Sequence, residues 1–120
     1  MGYKIEVYKK ASGVVPFDKW FDGLKDAKTK SIVLSRLDRV SLGNFGDSKY
    51  IDEGISELRI NYGSGYRIYF SKCGTSIVLF LCAGNKSSQQ KDIALAKEYL
   101  LDYHLRGKEN AKNKKKEKGC

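Results

Sequence analysis

The stretch from Glu57 to Lys86 constrains the fold more than any other part of the chain, because it holds three runs with strand character in close succession. Apolar and polar side chains alternate in 57–62 and again in 66–71, which is typical of strands with one buried and one exposed face. The run 75–83 is apolar at almost every position, which indicates an interior strand covered on both faces. The stretch therefore predicts a meander of three antiparallel strands.

The turn between the first two of these strands sets their register. Gly63-Ser64-Gly65 supplies glycine where a short hairpin needs positive φ. A three-residue loop there pairs Arg59 with Tyr69 and makes Arg59 and Arg67 diagonal neighbours on the exposed face, roughly 7–8 Å apart. Because like charges at that separation repel, we expect an anion to lie between the two arginines.

The rest of the chain predicts a further strand and three helices. Residues 3–8 alternate like a strand that joins the sheet, and Pro16 suits the first turn of a helix. A second helix is predicted from the N-cap Asp26 to Leu42, and 44–54 reads as a polar loop. A last helix is predicted to begin at Ser87, whose spacing to Gln90 matches a capping box, and to end near Arg106.

These elements predict an α+β fold in one domain, 1–106. It has a small twisted antiparallel sheet, mixed at the first strand, with two N-terminal helices packed on one face and a C-terminal helix. The last helix or a partner chain is expected to cover the other face of the apolar strand. Residues 107–120 lack apolar periodicity and are predicted to form a basic, disordered tail.

The charge balance favours a polyanionic partner. The formal net charge is +9, and the body of the chain remains positive without the six lysines and two glutamates of 107–120. Nucleic acid is favoured over a membrane surface, because no basic amphipathic helix with an aromatic face is seen. Charge alone leaves equally open that the lysines serve only solubility. We also expect a cytoplasmic protein, because the chain enters a strand pattern at once without a signal peptide and has no apolar run of about 18–20 residues.

Three cations are predicted to share one groove. Arg59 and Arg67 lie on the exposed face of the hairpin, and Lys86 precedes the last helix, whose N–H groups and dipole favour an anion. Fixed cations of this kind suit phosphodiester cleavage, where they stabilise charge on the phosphoryl oxygens, and suit plain phosphate or nucleic-acid binding equally. No metal ligand set or cofactor is predicted. Further contacts to RNA or phosphate are expected from Lys49, Tyr69, Gln90 and Lys91.

Several separated motifs between Tyr3 and Tyr103 resemble the RelE/ParE superfamily of bacterial toxins, in particular its HigB-like "addiction module killer" branch. They agree in order and spacing, and they read VPFDKWFDGL, RLDRVSLGNFGDSK, ISELRINYGSGYRIYF and CAGNKSSQQKDIALAKEYL. The resemblance implies the toxin of a type II toxin–antitoxin system, neutralised by a cognate antitoxin protein. It further implies a metal-independent, ribosome-dependent mRNA endoribonuclease acting in the ribosomal A site, in which a ribose 2′-OH attacks the adjacent phosphate.

The resemblance also implies roles for single residues. Arg67 matches the family's phosphate-stabilising arginine, Lys86 matches the basic residue after the last strand, and Arg59 fits the second cation of the groove. Asp92 falls near the position of a tyrosine that RelE members carry, and the histidines used by some HigB members are absent, which leaves the general acid and base unassigned. A ParE-like toxin that inhibits DNA gyrase without catalysis is the alternative.

Overall fold

The structure is a computed structural model of the chain that describes residues 2–111, with side chains described as far as residue 107. It confirms the predicted α+β class, with two N-terminal helices, a mixed sheet and a C-terminal helix. The chain order of the elements is β1 Lys4–Val7, α1 Pro16–Asp22, α2 Ala27–Ser41, β2 Ser48–Asp52, β3 Ile55–Ile60, β4 Tyr66–Cys73, β5 Ile77–Asn85, a 3-10 turn Lys86–Ser88 and α3 Gln89–Ala111.

The five strands form one sheet in the order β1-β5-β4-β3-β2. β1 runs parallel to β5, and the other neighbours are antiparallel. β5 is an interior strand, as its continuous apolar run predicts. The meander β3-β4-β5 is therefore confirmed, and the parallel β1 makes the sheet mixed.

Two hydrophobic layers lie on opposite faces of the sheet. On one face α1 and α2 pack on side chains from three strands, with Phe17 and Val33 meeting Leu58, Ile68 and Phe80. On the other face α3 covers a second apolar cluster, which includes Ile55, Tyr69, Leu81, Ala96 and Tyr99. The last helix thus covers the second face, one of the two possibilities left open by the sequence.

The helix starts agree with the local sequence signals. Pro16 occupies the first turn of α1, and the Asp26 side chain caps α2 by accepting from the N–H groups of Lys28 and Thr29. α3 continues to Ala111, beyond the end predicted near Arg106. The remainder of the predicted tail, 112–120, lies outside the described residues. Among the described helices, none has both the length and the apolar character needed to cross a membrane.

The prediction of a loop over 44–54 is wrong, because this segment contains the edge strand β2. β2 pairs with β3 along one side only, and its register shifts between Tyr50 and Asp52. Of its side chains, only Ile51 packs against an apolar cluster, whereas Tyr50 is 62% exposed. An edge strand with one core side chain has too little alternation to be recognised from its sequence.

Candidate functional site

The hairpin between β3 and β4 brings Arg59 and Arg67 directly opposite each other. The predicted diagonal arrangement is wrong, because the connection is longer than three residues: Ile60 pairs with Tyr66, so that 61–65 form the turn. Gly63 and Gly65 both adopt positive φ, at 62° and 87°, and the N–H of Gly65 donates to the carbonyl of Tyr62 over 3.0 Å. The side chains remain on the predicted faces, since the register differs from the prediction by an even number of residues.

The anion between the two arginines is the protein's own Glu57. Its carboxylate Oε2 lies 2.8 Å from Nε of Arg59, and its Oε1 lies 3.7 Å from Nε of Arg67. The side-chain amide of Gln89, at the start of α3, donates to Oε1 over 3.2 Å. Only 3% of the Glu57 side chain is exposed, so this carboxylate links strands β3 and β4 to α3 from a buried position. The alternation pattern places Glu57 on the same face as Arg59, two residues away, which is the sequence signal that could have identified it.

Arg59 is the more fully engaged of the two arginines. Besides the bond to Glu57, its Nη1 lies 3.7 Å from Oδ1 of Asp47, and its backbone carbonyl accepts from Nη1 of Arg36. The hydrogen bond to Glu57 raises the pKa of the Arg59 guanidinium. Arg59 thus holds the strands and its carboxylate partners in place, and the carboxylates of Glu57 and Asp47 already lie close to its positive charge.

Arg67 keeps more of its hydrogen-bonding capacity. Its side chain is 12% exposed, and its Nε is buried and has no hydrogen-bond partner among the described residues, although Glu57 lies nearby. In the register of β4 and β5, Arg67 faces Gly84, which places it below the N-terminal end of α3. A buried donor without a partner is costly, so Arg67 is the group in this cluster that gains most from a further acceptor.

Lys86 stands beside the hairpin turn. Its backbone N–H donates to the carbonyl of Gly65 over 3.3 Å, and its side-chain stem lies about 4 Å from where a Cβ on Gly65 would stand. The pairing of Tyr66 with Asn85 brings Lys86 and Arg67 to the same end of the sheet. Within the described part of the chain, the exposed Lys86 makes no ion pair. The structure therefore brings the three predicted cations together at one end of β3, β4 and β5.

The cap at this end is Asn85, and the predicted capping by Ser87 is wrong. Oδ1 of Asn85 accepts from the N–H groups of Ser87 and Ser88 over 3.0 and 3.2 Å. The chain makes one 3-10 turn at Lys86–Ser88 before α3 starts at Gln89, so Lys86 lies inside the turn and not ahead of it. Two of the N–H groups expected to receive an anion are already occupied, which leaves the lysine side chain as the main attraction for phosphate.

The structure contradicts one predicted RNA contact. Tyr69 is 0% exposed beneath α3, and within the part of the chain that the structure describes its buried hydroxyl has no hydrogen-bond partner. Burial, followed by the nearby carboxylate of Glu57, raises the pKa of this phenol above its usual range. Tyr69 is thus a core residue. The other three predicted contacts are exposed, with Gln90 and Lys91 in the first turn of α3 and Lys49 on β2.

Asp92 of α3 and Gly84 of β5 lie in contact next to the cation cluster. Asp92 is 8% exposed, and its carboxylate accepts from the hydroxyl of Ser88. A Cβ on Gly84 would lie 1.9 Å from Oδ2 of Asp92, so only glycine allows α3 to approach β5 this closely. Below Asp92, burial raises the pKa of the Cys82 thiol to about 12. Asp92 is therefore held by packing and a hydroxyl as well as by its place in the first turn of a helix.

The described residues include no group of three or more histidine, cysteine, aspartate or glutamate side chains that could hold a metal ion. The chemistry available to the cluster is that of two arginines, exposed lysines and two buried carboxylates. Such an arrangement can bind a phosphate group and stabilise charge on its oxygens.

No protein-family model matches the chain. The chain is 46% identical over 81 residues to an uncharacterized protein of Haemophilus influenzae. The similarity covers 68% of this chain and 82% of the Haemophilus influenzae protein.

Proposed function

The chain belongs to the same family as the uncharacterized Haemophilus influenzae protein, and we propose that it is the toxin of a type II toxin–antitoxin system that cleaves mRNA on the ribosome. The observation that carries the proposal is the placement of Arg67 and Lys86 at one end of the sheet, beside the start of α3, where Lys86 makes no ion pair with any described side chain. The proposed reaction is the one that the resemblance of the sequence to RelE/ParE toxins implies.

In the proposed reaction the RNA provides its own nucleophile. The 2′-hydroxyl of one ribose loses its proton and its oxygen bonds to the adjacent phosphorus, the bond from phosphorus to the 5′-oxygen of the next nucleotide breaks, and that oxygen takes up a proton, which leaves a 2′,3′-cyclic phosphate and a free 5′-hydroxyl with no net change in protons. Arg67 donates to the phosphoryl oxygens on which charge builds up, and Lys86 neutralises the same group from the hairpin side. Glu57 holds Arg59 and lies beside Arg67, and Arg59 contributes to the positive field.

The remaining exposed cations suit the flanking strand. Lys91 and Lys49 lie on either side of the cluster, in α3 and on β2, and Gln90 offers a neutral donor beside Lys91. Contacts of this kind hold an RNA backbone without reading its sequence. They fit a substrate that is presented as a single strand, such as mRNA in the ribosomal A site.

Mapping mRNA 5′ ends after induction in a bacterial host tests the function. The wild-type protein is expected to arrest growth and to produce new ends inside translated codons. Arg67→Ala and Lys86→Ala are expected to relieve both effects, whereas Lys25→Ala, an exposed lysine between α1 and α2, is the control and retains them. Intact mRNA together with gyrase-dependent DNA damage would contradict the ribonuclease and favour a ParE-like gyrase inhibitor.

The proposal includes a cognate antitoxin protein encoded beside the toxin gene. Co-expression of the neighbouring gene is expected to restore growth and to yield a stoichiometric complex on purification. Growth arrest that the neighbouring gene leaves unchanged, with no complex formed, would contradict the toxin–antitoxin assignment while leaving the ribonuclease activity to be judged by the mapping experiment.

A further inference from the structure

A cleft of about 340 Å³ lies on the far side of Asp92 from Arg67. β1 pairs with β5 only as far as Phe80, whose carbonyl accepts the last hydrogen bond of the pair, from the N–H of Tyr8. Beyond Phe80, this edge of β5 has no strand partner within the described chain. The β1–α1 loop, α1 and α3 wall the gap. The charged, aromatic and thiol side chains that line the cleft are Lys10, Lys19, Trp20, Cys82, Asp92 and Tyr99.

The walls of the cleft combine aromatic and cationic groups. Trp20 lies on one side, with its ring 6.0 Å edge-on from that of Tyr66, the first residue of β4. Tyr99 lies on the other side, stacked on Tyr8, with the ammonium of Lys10 5.5 Å from its ring centre. Tyr99 is 7% exposed and its ring is covered by Tyr8 and Lys10, so Trp20 is the aromatic side chain of these walls that can stack on a nucleobase, and the nearby lysines can hold the adjoining phosphate.

The size and the position of the cleft limit what can occupy it. Its volume is at the lower end of small-ligand sites, which span about 300–1,000 Å³, and is too small for a protein helix. Asp92 borders both the cleft and Gly84, and Gly84 pairs with Arg67 on the neighbouring strand, about 5 Å away. One unpaired nucleobase in the cleft would therefore lie beside the end of β5 at which Arg67 and Lys86 are placed, with Asp92 between the base and Arg67.

We propose that this cleft binds a single unpaired nucleobase next to the phosphate held by Arg67, and that Asp92 selects a base with an exocyclic amino group. The inference rests on the proposed function, since it assigns the base subsite of the same RNA site. An ionised carboxylate only accepts hydrogen bonds. It therefore favours adenine, cytosine or guanine, each of which presents an exocyclic amino group, over uracil, which has none.

The test is an abasic scan of RNA binding by fluorescence anisotropy. The probe is a labelled single-stranded hexaribonucleotide with 2′-O-methyl groups, which cannot be cleaved by 2′-OH attack, and each position in turn lacks its base. Wild-type protein is expected to lose about tenfold in affinity at one position and little at the others. Val14→Trp, which fills the cleft from its exposed rim, is expected to bind about tenfold more weakly and to be insensitive to that position.

Leu42→Trp is the matched control. Leu42 is 77% exposed at the end of α2 and lies close to the start of β1, whereas the cleft lies at the other end of β1. Its substitution is therefore expected to leave the result of the abasic scan unchanged. Asp92→Asn adds a second readout, with the preference for cytosine over uracil at the sensitive position falling from about tenfold to below about threefold. Circular dichroism confirms that each variant is folded.

The outcomes separate the cleft from the proposed function. Tight binding of the RNA by the wild-type protein with no sensitive position would overturn the base subsite while leaving mRNA cleavage intact. A sensitive position that remains in Val14→Trp would have the same consequence. A sensitive position that is lost in Val14→Trp supports the subsite even if mRNA mapping reveals no cleavage. Absence of binding by the wild-type protein overturns the subsite and the proposed RNA site together.

Discussion

The buried carboxylate of Glu57 lies 3.7 Å from Nε of Arg67, at the centre of the cation cluster. The same carboxylate binds Arg59 at 2.8 Å, so that one acidic side chain keeps two directly opposed arginines on adjacent strands. Without it, the repulsion between the arginines would act in a site with little solvent to screen it. Glu57 is thus the residue that makes this arrangement of positive charge compatible with the fold.

Glu57→Gln is expected to destabilise the protein strongly. The substitution keeps the size of the side chain but leaves the largely buried Arg67 without a counter-charge, and breaking a buried pair from one side costs roughly 3–5 kcal/mol. Urea unfolding at pH 7 measures the loss of free energy. The matched variant Asp47→Asn removes a half-exposed partner of Arg59 and is expected to cost less than about 1 kcal/mol. Equal losses in the two variants would contradict the central role of Glu57.

The start of the last helix provides a second test. Asn85→Ala removes the acceptor of the Ser87 and Ser88 N–H groups and is expected to cost about 1 kcal/mol of unfolding free energy. Ser87→Ala, at the residue that the capping-box spacing indicates, is expected to cost less than about 0.5 kcal/mol, because the exposed Ser87 hydroxyl only donates to Oδ1 of Asn85, which remains in place to accept from the backbone. Thermal or urea unfolding of both variants decides between them, and the reverse order would contradict the observed cap.

Tyr8 predicts a pH dependence at alkaline pH. Burial, together with the hydrogen bond to Asp102, raises the pKa of its phenol to about 12. The folded protein therefore keeps a proton that the unfolded chain loses at its ordinary pKa of about 10, so stability falls as the pH rises from 10 to 12.

Tyr8→Phe is expected to lack this part of the alkaline loss and, at pH 7, to be less stable by about 1.5 kcal/mol through the missing hydrogen bond to a charged group. The measurement is the difference in unfolding free energy between variant and wild type from pH 7 to 12, which cancels the shared titration of the lysines. A difference that stays constant over this range would show that Tyr8 titrates alike in both states.

The sequence predicts the elements with strong periodicity or clear end signals. The alternation in β3 and β4, the apolar run of β5, Pro16 in α1 and the Asp26 cap of α2 all indicate what the structure contains. The edge strand β2 could not be predicted in the same way, because a strand paired on one side with one core residue leaves almost no alternation.

The register of the hairpin and the environment of its arginines depend on tertiary contacts. Parity restricts the register to alternate values, but glycines with positive φ fit a three-residue and a five-residue turn alike, so the local sequence does not choose between the two. The polar face of the hairpin alternates like an exposed surface, yet α3 buries Glu57 and Tyr69 on it. Local sequence therefore identifies the cations of the site, whereas the helix from a distant part of the chain determines which of them remain accessible.

The most direct test of the account is the single-turnover cleavage of ribosome-bound mRNA by purified wild-type and Arg67→Ala proteins. Because Arg67 is assigned to the charge that develops on the phosphate, its loss is expected to slow cleavage roughly 100- to 1,000-fold. Circular dichroism and urea unfolding would establish that the variant remains folded. Wild-type products are expected to end in a 2′,3′-cyclic phosphate. Cleavage by Arg67→Ala at the wild-type rate, or no cleavage by the wild-type protein, would contradict the account.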